Sequence, residues 1–225
     1  MVPVYNEIRT IEKILFRLQS LDLEKEIILV DDGSTDGTRE FLRDLQKRGV
    51  EEGIKIVFHD LNYGKGAALR SGFRHVSGEL VVIQDADLEY DPAEYPKLMQ
   101  PILDGRADVV YGSRFLGGPH RVLYFWHYLG NRLLTLLCNM ASNLNLSDME
   151  TCYKMFRSEI LKSINFKSNR FGFEPEFTIK VARKKYRIYE VPVSYHGRTY
   201  LEGKKITWKD GVASIYSIVR FLVSD

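Results

Sequence analysis

From residue 1 to about residue 115, short β-branched runs alternate with amphipathic stretches. Residues 1–4, 26–30, 54–58, 80–84 and 108–111 read as strands. Between them the apolar positions move to helical spacing: over 8–21, Ile8, Ile11, Ile14, Leu15, Leu18 and Leu21 fall on one face. Strands alternating with helices predict β-α-β units, hence an α/β chain with a mostly parallel central sheet and helices on both faces. Only three residues precede Val4, where a buried strand usually has about five. The native chain is therefore expected to start earlier, or this one to have been shortened.

After Phe115 the pattern changes. A Gly-Gly-Pro turn at 117–119 leads into a long aromatic and leucine-rich segment, then further short strands and two helices, one of them opening at Phe171-Gly172-Phe173-Glu174-Pro175-Glu176. No Ser/Gly-rich linker or repeat separates the halves, so 1–225 is expected to form one domain, with 116–225 appended to 1–115. In 122–140, Val122, Leu123, Phe125, Trp126, Leu129, Leu133, Leu136, Leu137 and Met140 make a broad apolar surface. In 207–223, Trp208, Val212, Ile215, Tyr216, Val219 and Phe221 or Leu222 do the same. Periodicity alone does not separate burial in protein from burial at a lipid surface. Both segments are broken by polar residues (His127, Asn131, Arg132 and Asn139; Arg220), so neither offers the roughly 20 apolar residues of a membrane span.

Composition narrows the partners. With 44% hydrophobic and 28% charged residues the chain is globular rather than disordered. Lys plus Arg at 32 against Asp plus Glu at 30 gives no basic surplus, which argues against a nucleic-acid partner. Two cysteines, Cys138 and Cys152, form neither a zinc knuckle nor a disulfide framework and suit a reducing, cytoplasmic setting. No basic-then-apolar leader opens the sequence.

In open α/β sheets ligands bind beyond the carboxyl ends of the strands, and there this chain collects its polar residues. The first strand ends in Tyr5-Asn6-Glu7, the second in Asp31-Asp32-Gly33-Ser34, the third in Asn62-Tyr63-Gly64-Lys65-Gly66, the fourth in Asp85-Ala86-Asp87. Each cluster alone is ordinary turn chemistry; four on one rim are a site. Residues i and i+2 of a strand face the same side, so Asp85 and Asp87 can address one ion, with Glu89 a candidate third oxygen. Hard carboxylate oxygens with open positions suit Mg²⁺ or Mn²⁺ holding a diphosphate. The spacing around Lys65 is not that of a Walker A loop, and Arg43 stands where an EF-hand starting at Asp32 needs Glu.

Val2-Pro3-Val4-Tyr5-Asn6-Glu7, Val30 to Thr38, Asn62 to Gly66, Asp85-Ala86-Asp87-Leu88-Glu89 and Gly112-Ser113-Arg114 resemble the ordered motifs of family 2 glycosyltransferases of GT-A fold. Asp148 to Lys154 and Val191-Pro192-Val193 through Arg198 resemble the branch with dolichyl-phosphate mannosyltransferase and bacterial polyprenyl-phosphate glycosyltransferases. The resemblance implies that Pro3, Tyr5, Glu7 and Asp32 surround the donor base and ribose. It places Lys65 near the diphosphate or holding Asp32 and Asp85, and Asp85 and Asp87 at the metal. It further implies inversion at the anomeric carbon.

Arg114, Arg121, Arg132, Arg198, Lys204 and Lys205 could hold an acceptor phosphate, with Arg114, Arg198 and Lys204 the favoured set. A phosphate already presents an anionic oxygen and needs no strong base. Asp148 and Glu150 stand where hydroxyl-using relatives keep a catalytic acid, and become base candidates if the acceptor is an alcohol. The expected partners are a nucleotide sugar with a uridine or guanosine base, a polyprenyl phosphate, and the cytoplasmic surface of a membrane, a placement compatible with an integral-membrane partner. The competing readings are a glycosyltransferase acting on a sugar hydroxyl and a non-catalytic nucleotide-sugar-binding module.

Overall fold

The computed structural model describes residues 1–49, 53–122, 124–205 and 208–223. Strands β1 (Val2–Val4), β2 (Ile27–Asp31) and β3 (Ile54–Phe58) pair in parallel, with Val4 opposite Asp31 and Asp31 opposite Phe58. This register brings three carboxyl ends level. A second ladder runs β4 (Leu80–Val82), β6 (Lys154–Arg157), β5 (Val109–Ser113), β7 (Ile188–Pro192). Met1 joins the two: its amino group donates to the Val82 carbonyl at 3.0 Å, and Gln84 N–H donates to the Met1 carbonyl at 3.0 Å. The resulting order is β3-β2-β1-β4-β6-β5-β7.

Among the described strands only β6 runs against its neighbours. Every residue of β2 and of β5 is buried, which requires cover on both sheet faces. Helices α1 (Ile11–Gln19), α2 (Thr38–Lys47), α3 (Lys65–Phe73) and α4 (Tyr95–Leu103) lie in the first half. Helices α5 (Phe125–Ser142), α6 (Ile160–Ser163), α7 (Phe173–Arg183) and α8 (Trp208–Val223) lie in the second.

In α1, Ile11, Ile14, Leu15 and Leu18 are buried as their spacing predicts, but Ile8 is exposed. The helix begins late because Glu7 organises the turn before it, its carbonyl accepting from Thr10 and Ile11 N–H. Gly33 and Gly64 are demanded by geometry. Both have positive φ (75° and 100°), and a Cβ would stand 2.5 Å from main-chain atoms of Leu61 and Asn169 respectively.

Helices α5, α7 and α8 pack together. Of α5, Thr135 and Cys138 are buried, whereas Phe125, Trp126, Leu129, Leu133, Leu136 and Met140 are exposed. Val212, Ile215, Tyr216, Val219 and Leu222 are exposed on α8, while Phe221 is buried. Most of the apolar surface expected over 122–140 is therefore an outer face, while Leu137 is partly buried and packs against the core. Leu123 and the side chain of Trp208 lie outside the described residues. Among the described residues no helix is long and apolar enough to cross a membrane.

Candidate active site

A cavity of about 470 Å³ opens above the level carboxyl ends of the strands. Pro3 lines it from β1, Tyr5, Glu7 and Asp32 from the turns after β1 and β2, and Lys65 from the start of α3. Strand β4 ends at Val82, short of the expected 84, so Asp85, Asp87 and Glu89 line the cavity from the turn after it. Arg114 lines it from the end of β5 and Glu150 from the second half, with Arg198 and Lys204 from the segment after β7. Of the candidate metal, nucleotide, catalytic and acceptor-phosphate residues named from the sequence, Asp148, Arg121 and Arg132 are absent from this lining.

The turn after β2 separates two neighbouring acids. Asp31 faces inward to Arg39 at 2.7 Å and Ser34 N–H at 3.2 Å, a structural pair. Asp32 accepts from Tyr63 N–H at 3.0 Å and Gly64 N–H at 2.7 Å, and His59 Nδ1 stands 2.7 Å away. His59 in turn reaches Ser71 Oγ through Nε2 at 2.8 Å. His59 carries no motif spacing in the sequence, yet it helps to set Asp32.

Lys65 does not hold Asp32; its Nζ lies 3.0 Å from Asp85 Oδ1 and 3.1 Å from Glu174 Oε1. Burial opposes the lysine's charge, but Asp85 and Glu174 keep it protonated well above its ordinary range. Ala86 is buried between two acids that share the cavity wall. Burial, Glu89 and Asp85 push the Asp87 carboxyl up to about 8, against the pull of Arg198. A divalent cation would relieve this crowding of acids, and hard carboxylate oxygens are its natural ligands. Among the described residues no three acidic, His or Cys side chains form a metal cage unaided. The remaining ligands would have to come from diphosphate and water.

Both carboxylate oxygens of Glu89, the candidate third ligand, are already engaged by the protein. Its Oε2 accepts from Tyr195 hydroxyl at 2.7 Å and its Oε1 from Arg198 N–H at 2.8 Å, so it docks the loop after β7. Leu88, at φ 65°, makes this turn. A left-handed leucine costs about 1–2 kcal/mol, strain of the kind that gathers at functional sites.

Asp148 is fully buried and forms a two-pronged pair with Arg114: Oδ2 to Nε at 2.6 Å and Oδ1 to Nη2 at 2.7 Å. It orients the guanidinium and is not free to act as a base. Among the other cations, Arg121 pairs with Glu202 at 2.8 Å, and Arg132 reaches the Ser147 carbonyl at 3.4 Å. Lys205 pairs with Glu7 at 2.7 Å and lies over the Tyr5 ring. Lys204 lies over Tyr124 and, among the described residues, has no carboxylate at ion-pair distance.

A second groove of about 540 Å³ shares Arg114, Tyr195 and Lys204 with the first cavity and continues beneath Tyr124, Phe125 and Tyr128. Tyr195, Glu174, Cys152 and Phe171 also line the main cavity; Cys152 and Tyr195 fall within segments that resemble family motifs, whereas the sequence assigns Glu174 and Phe171 no site role.

Residues 1–164 match the family description "Glycosyl transferase family 2". The chain belongs to that family. Over 208 residues it is 31% identical to an undecaprenyl-phosphate 4-deoxy-4-formamido-L-arabinose transferase of Edwardsiella ictaluri, covering 91% of this chain and 61% of the relative. Over 216 residues it is 29% identical to an undecaprenyl-phosphate mannosyltransferase of Micrococcus luteus, covering 91% and 85%. The chain thus spans less than two thirds of the first of these. The fold matches glucosyl-3-phosphoglycerate synthase of Mycobacterium tuberculosis crystallised with Mn²⁺ and UDP-glucose, at TM-score 0.74 and 20% identity, covering 100% of this chain and 78% of that one. The architecture of this family 2 glycosyltransferase is GT-A.

Proposed function

We propose that this protein moves a hexose from a nucleotide sugar to a polyprenyl phosphate, with inversion, at the cytoplasmic surface of a membrane. The observation that carries the reading is the junction of two spaces. An acid-lined cavity suited to a nucleoside diphosphate opens, through Arg114, Tyr195 and Lys204, into a basic and aromatic groove. Next to that groove runs α5, whose outer face exposes Phe125, Trp126, Leu129 and Leu133. The named activity of the undecaprenyl-phosphate relatives supports the same acceptor class.

In this reading Tyr5 offers a ring face to the donor base, and Pro3, Glu7 and Asp32 border base and ribose. Asp85 and Asp87 hold Mg²⁺ or Mn²⁺, which when bound neutralises the diphosphate. Lys65 keeps Asp85 oriented. Arg114, fixed by Asp148, stands with Arg198 and Lys204 where the acceptor phosphate meets the sugar. A phosphate oxygen forms the new bond to the anomeric carbon as the bond from that carbon to the diphosphate breaks, and the nucleoside diphosphate departs. No protein base is required, because the attacking oxygen is already anionic. The apolar faces of α5 and α8 settle into the headgroup boundary, a peripheral attachment.

The test is transfer from labelled UDP-glucose and GDP-mannose into vesicles carrying undecaprenyl phosphate, against the same donors offered soluble sugars. Label in lipid with inverted configuration supports the reading. Transfer to soluble sugars alone would replace it with the hydroxyl-acceptor alternative, and retained configuration would count against the inverting assignment.

A further inference from the structure

Two acceptor atoms in the wall of the main cavity have no partner. Glu150 Oε1 and Glu174 Oε2 are both buried and both without a hydrogen bond. The other oxygen of Glu174 is taken by Lys65 at 3.1 Å. Glu150 accepts from Ser214. Buried carboxylate oxygens are rarely left unpaired, because the lost hydration is not recovered. Two of them facing one cavity mark the place of a missing donor.

Charge identifies what kind of donor. Lys65 bridges Glu174 to Asp85, and Lys154, fully buried behind the same wall, donates to the carbonyls of Met149 (3.1 Å) and Thr151. Two lysines therefore already oppose Glu150 and Glu174, so these two oxygens lack hydrogen-bond donors rather than cations; the unpartnered Nε of Arg198 on the same wall stands 3.5 Å from Glu89 Oε1 instead. Burial and the charge of Glu174 raise the Glu150 carboxyl to about 7, which further disfavours a second anion there. A neutral ligand bearing several hydroxyls meets both conditions. Followed through contacts, the wall runs from Glu7 by way of Arg198 to Asp87, and from Asp85 by way of Lys65 to Glu174. Glu174 is thus tied to the acidic pair through Lys65 at Asp85, and Glu7 through Arg198 at Asp87.

We propose that Glu150 Oε1 and Glu174 Oε2 accept hydrogen bonds from hydroxyls of the transferred hexose and are the residues that read the donor sugar. The inference rests on the nucleotide-sugar reading of the cavity. It assigns the nucleoside to one end of the cavity and sugar choice to the other.

Calorimetric titration with Mn²⁺ tests it, using UDP, GDP, UDP-glucose, GDP-mannose and the 2-, 3-, 4- and 6-deoxy forms of whichever donor binds. Glu150→Gln and Glu174→Gln each keep an oxygen for the protein partner and place an NH₂ group where the orphan acceptor was. The expected result is sugar-nucleotide affinity lowered at least about tenfold, with affinity for the bare diphosphate changed less than about threefold. In the wild-type chain at least one deoxy donor should show a similar loss, and that loss should vanish in the variant that removes its partner. Equal losses for diphosphate and sugar nucleotide would assign the acids a structural role and overturn the proposal. So would full sugar-nucleotide affinity in both variants. Failure of the wild-type chain to bind any diphosphate is a different result and would overturn the nucleotide-sugar reading itself.

Discussion

Arg198 faces Glu7 across the mouth of the cavity, Nη1 3.0 Å from Oε2 and Nη2 3.0 Å from Oε1. The same guanidinium stands 3.3 Å from Asp87 Oδ2, so one arginine compensates the acids where a metal and nucleotide are proposed to bind. Removing it has two opposite consequences. Arg198→Ala should raise Mn²⁺ affinity in the absence of nucleotide by several-fold, because a competing cation is gone. It should lower transfer to a phosphate acceptor at least about tenfold, because charge-assisted bonds to that phosphate are lost. Metal titration and steady-state kinetics on one preparation read both signs.

Asp148 makes a different prediction from a catalytic base. Its side chain has no exposure and that of Arg114 15%, so Asp148→Ala leaves a buried guanidinium uncompensated, at a cost of about 3–5 kcal/mol. Denaturant unfolding should show that loss. A variant with wild-type stability and no turnover would restore Asp148 as a base.

Glu150 gives a pH signature. Burial and Glu174 raise its folded value to about 7 from an ordinary value of 4.5. The native state therefore holds this proton more tightly than the unfolded chain. The group's stabilising contribution is complete below about pH 4.5 and is lost as pH rises through about 7. Glu150→Gln removes that dependence, so the wild-type melting temperature should fall relative to the variant between pH 5 and pH 8, by roughly 2–4 °C for each kcal/mol involved. Parallel curves would contradict the assignment.

The outer faces of α5 and α8 predict binding to lipid. Trp126→Ser with Leu133→Ser, both at exposed positions (76% and 50%), should weaken co-sedimentation with anionic vesicles at least about tenfold, from about 1.5–3 kcal/mol per large apolar side chain. Nucleotide binding should be unchanged. Vesicle binding equal to wild type would assign these faces to another partner.

The first half of this fold was legible because its signals are local. Level strand ends follow from β-α-β alternation, and Asp32, Lys65, Asp85 and Asp87 stand at those ends in the sequence as they do in the cavity. What escaped depends on pairing between distant segments. Nothing near residues 154–157 announces that β6 runs antiparallel between β4 and β5, the departure that the described strands make from an otherwise parallel sheet. Glu89 has the spacing of a metal ligand, but Tyr195 and Arg198, more than a hundred residues away, decide where it points. His59, Glu174 and the burial of Asp148 beside Arg114 are likewise set by contacts that periodicity does not encode. The apolar face of α5 could be read from the sequence, whereas its exposure required knowing what packs on the other side.

The central claim is that Asp85 and Asp87 bind a nucleoside diphosphate through a divalent cation. Calorimetric titration of UDP and GDP into the wild-type chain and Asp87→Asn, each with and without Mn²⁺, measures it directly. One of the two nucleotides should bind the wild-type chain tightly only when Mn²⁺ is present, and Asp87→Asn should lose most of that metal-dependent gain. Equal affinity with and without the metal, or an undiminished gain in the variant, would contradict the account.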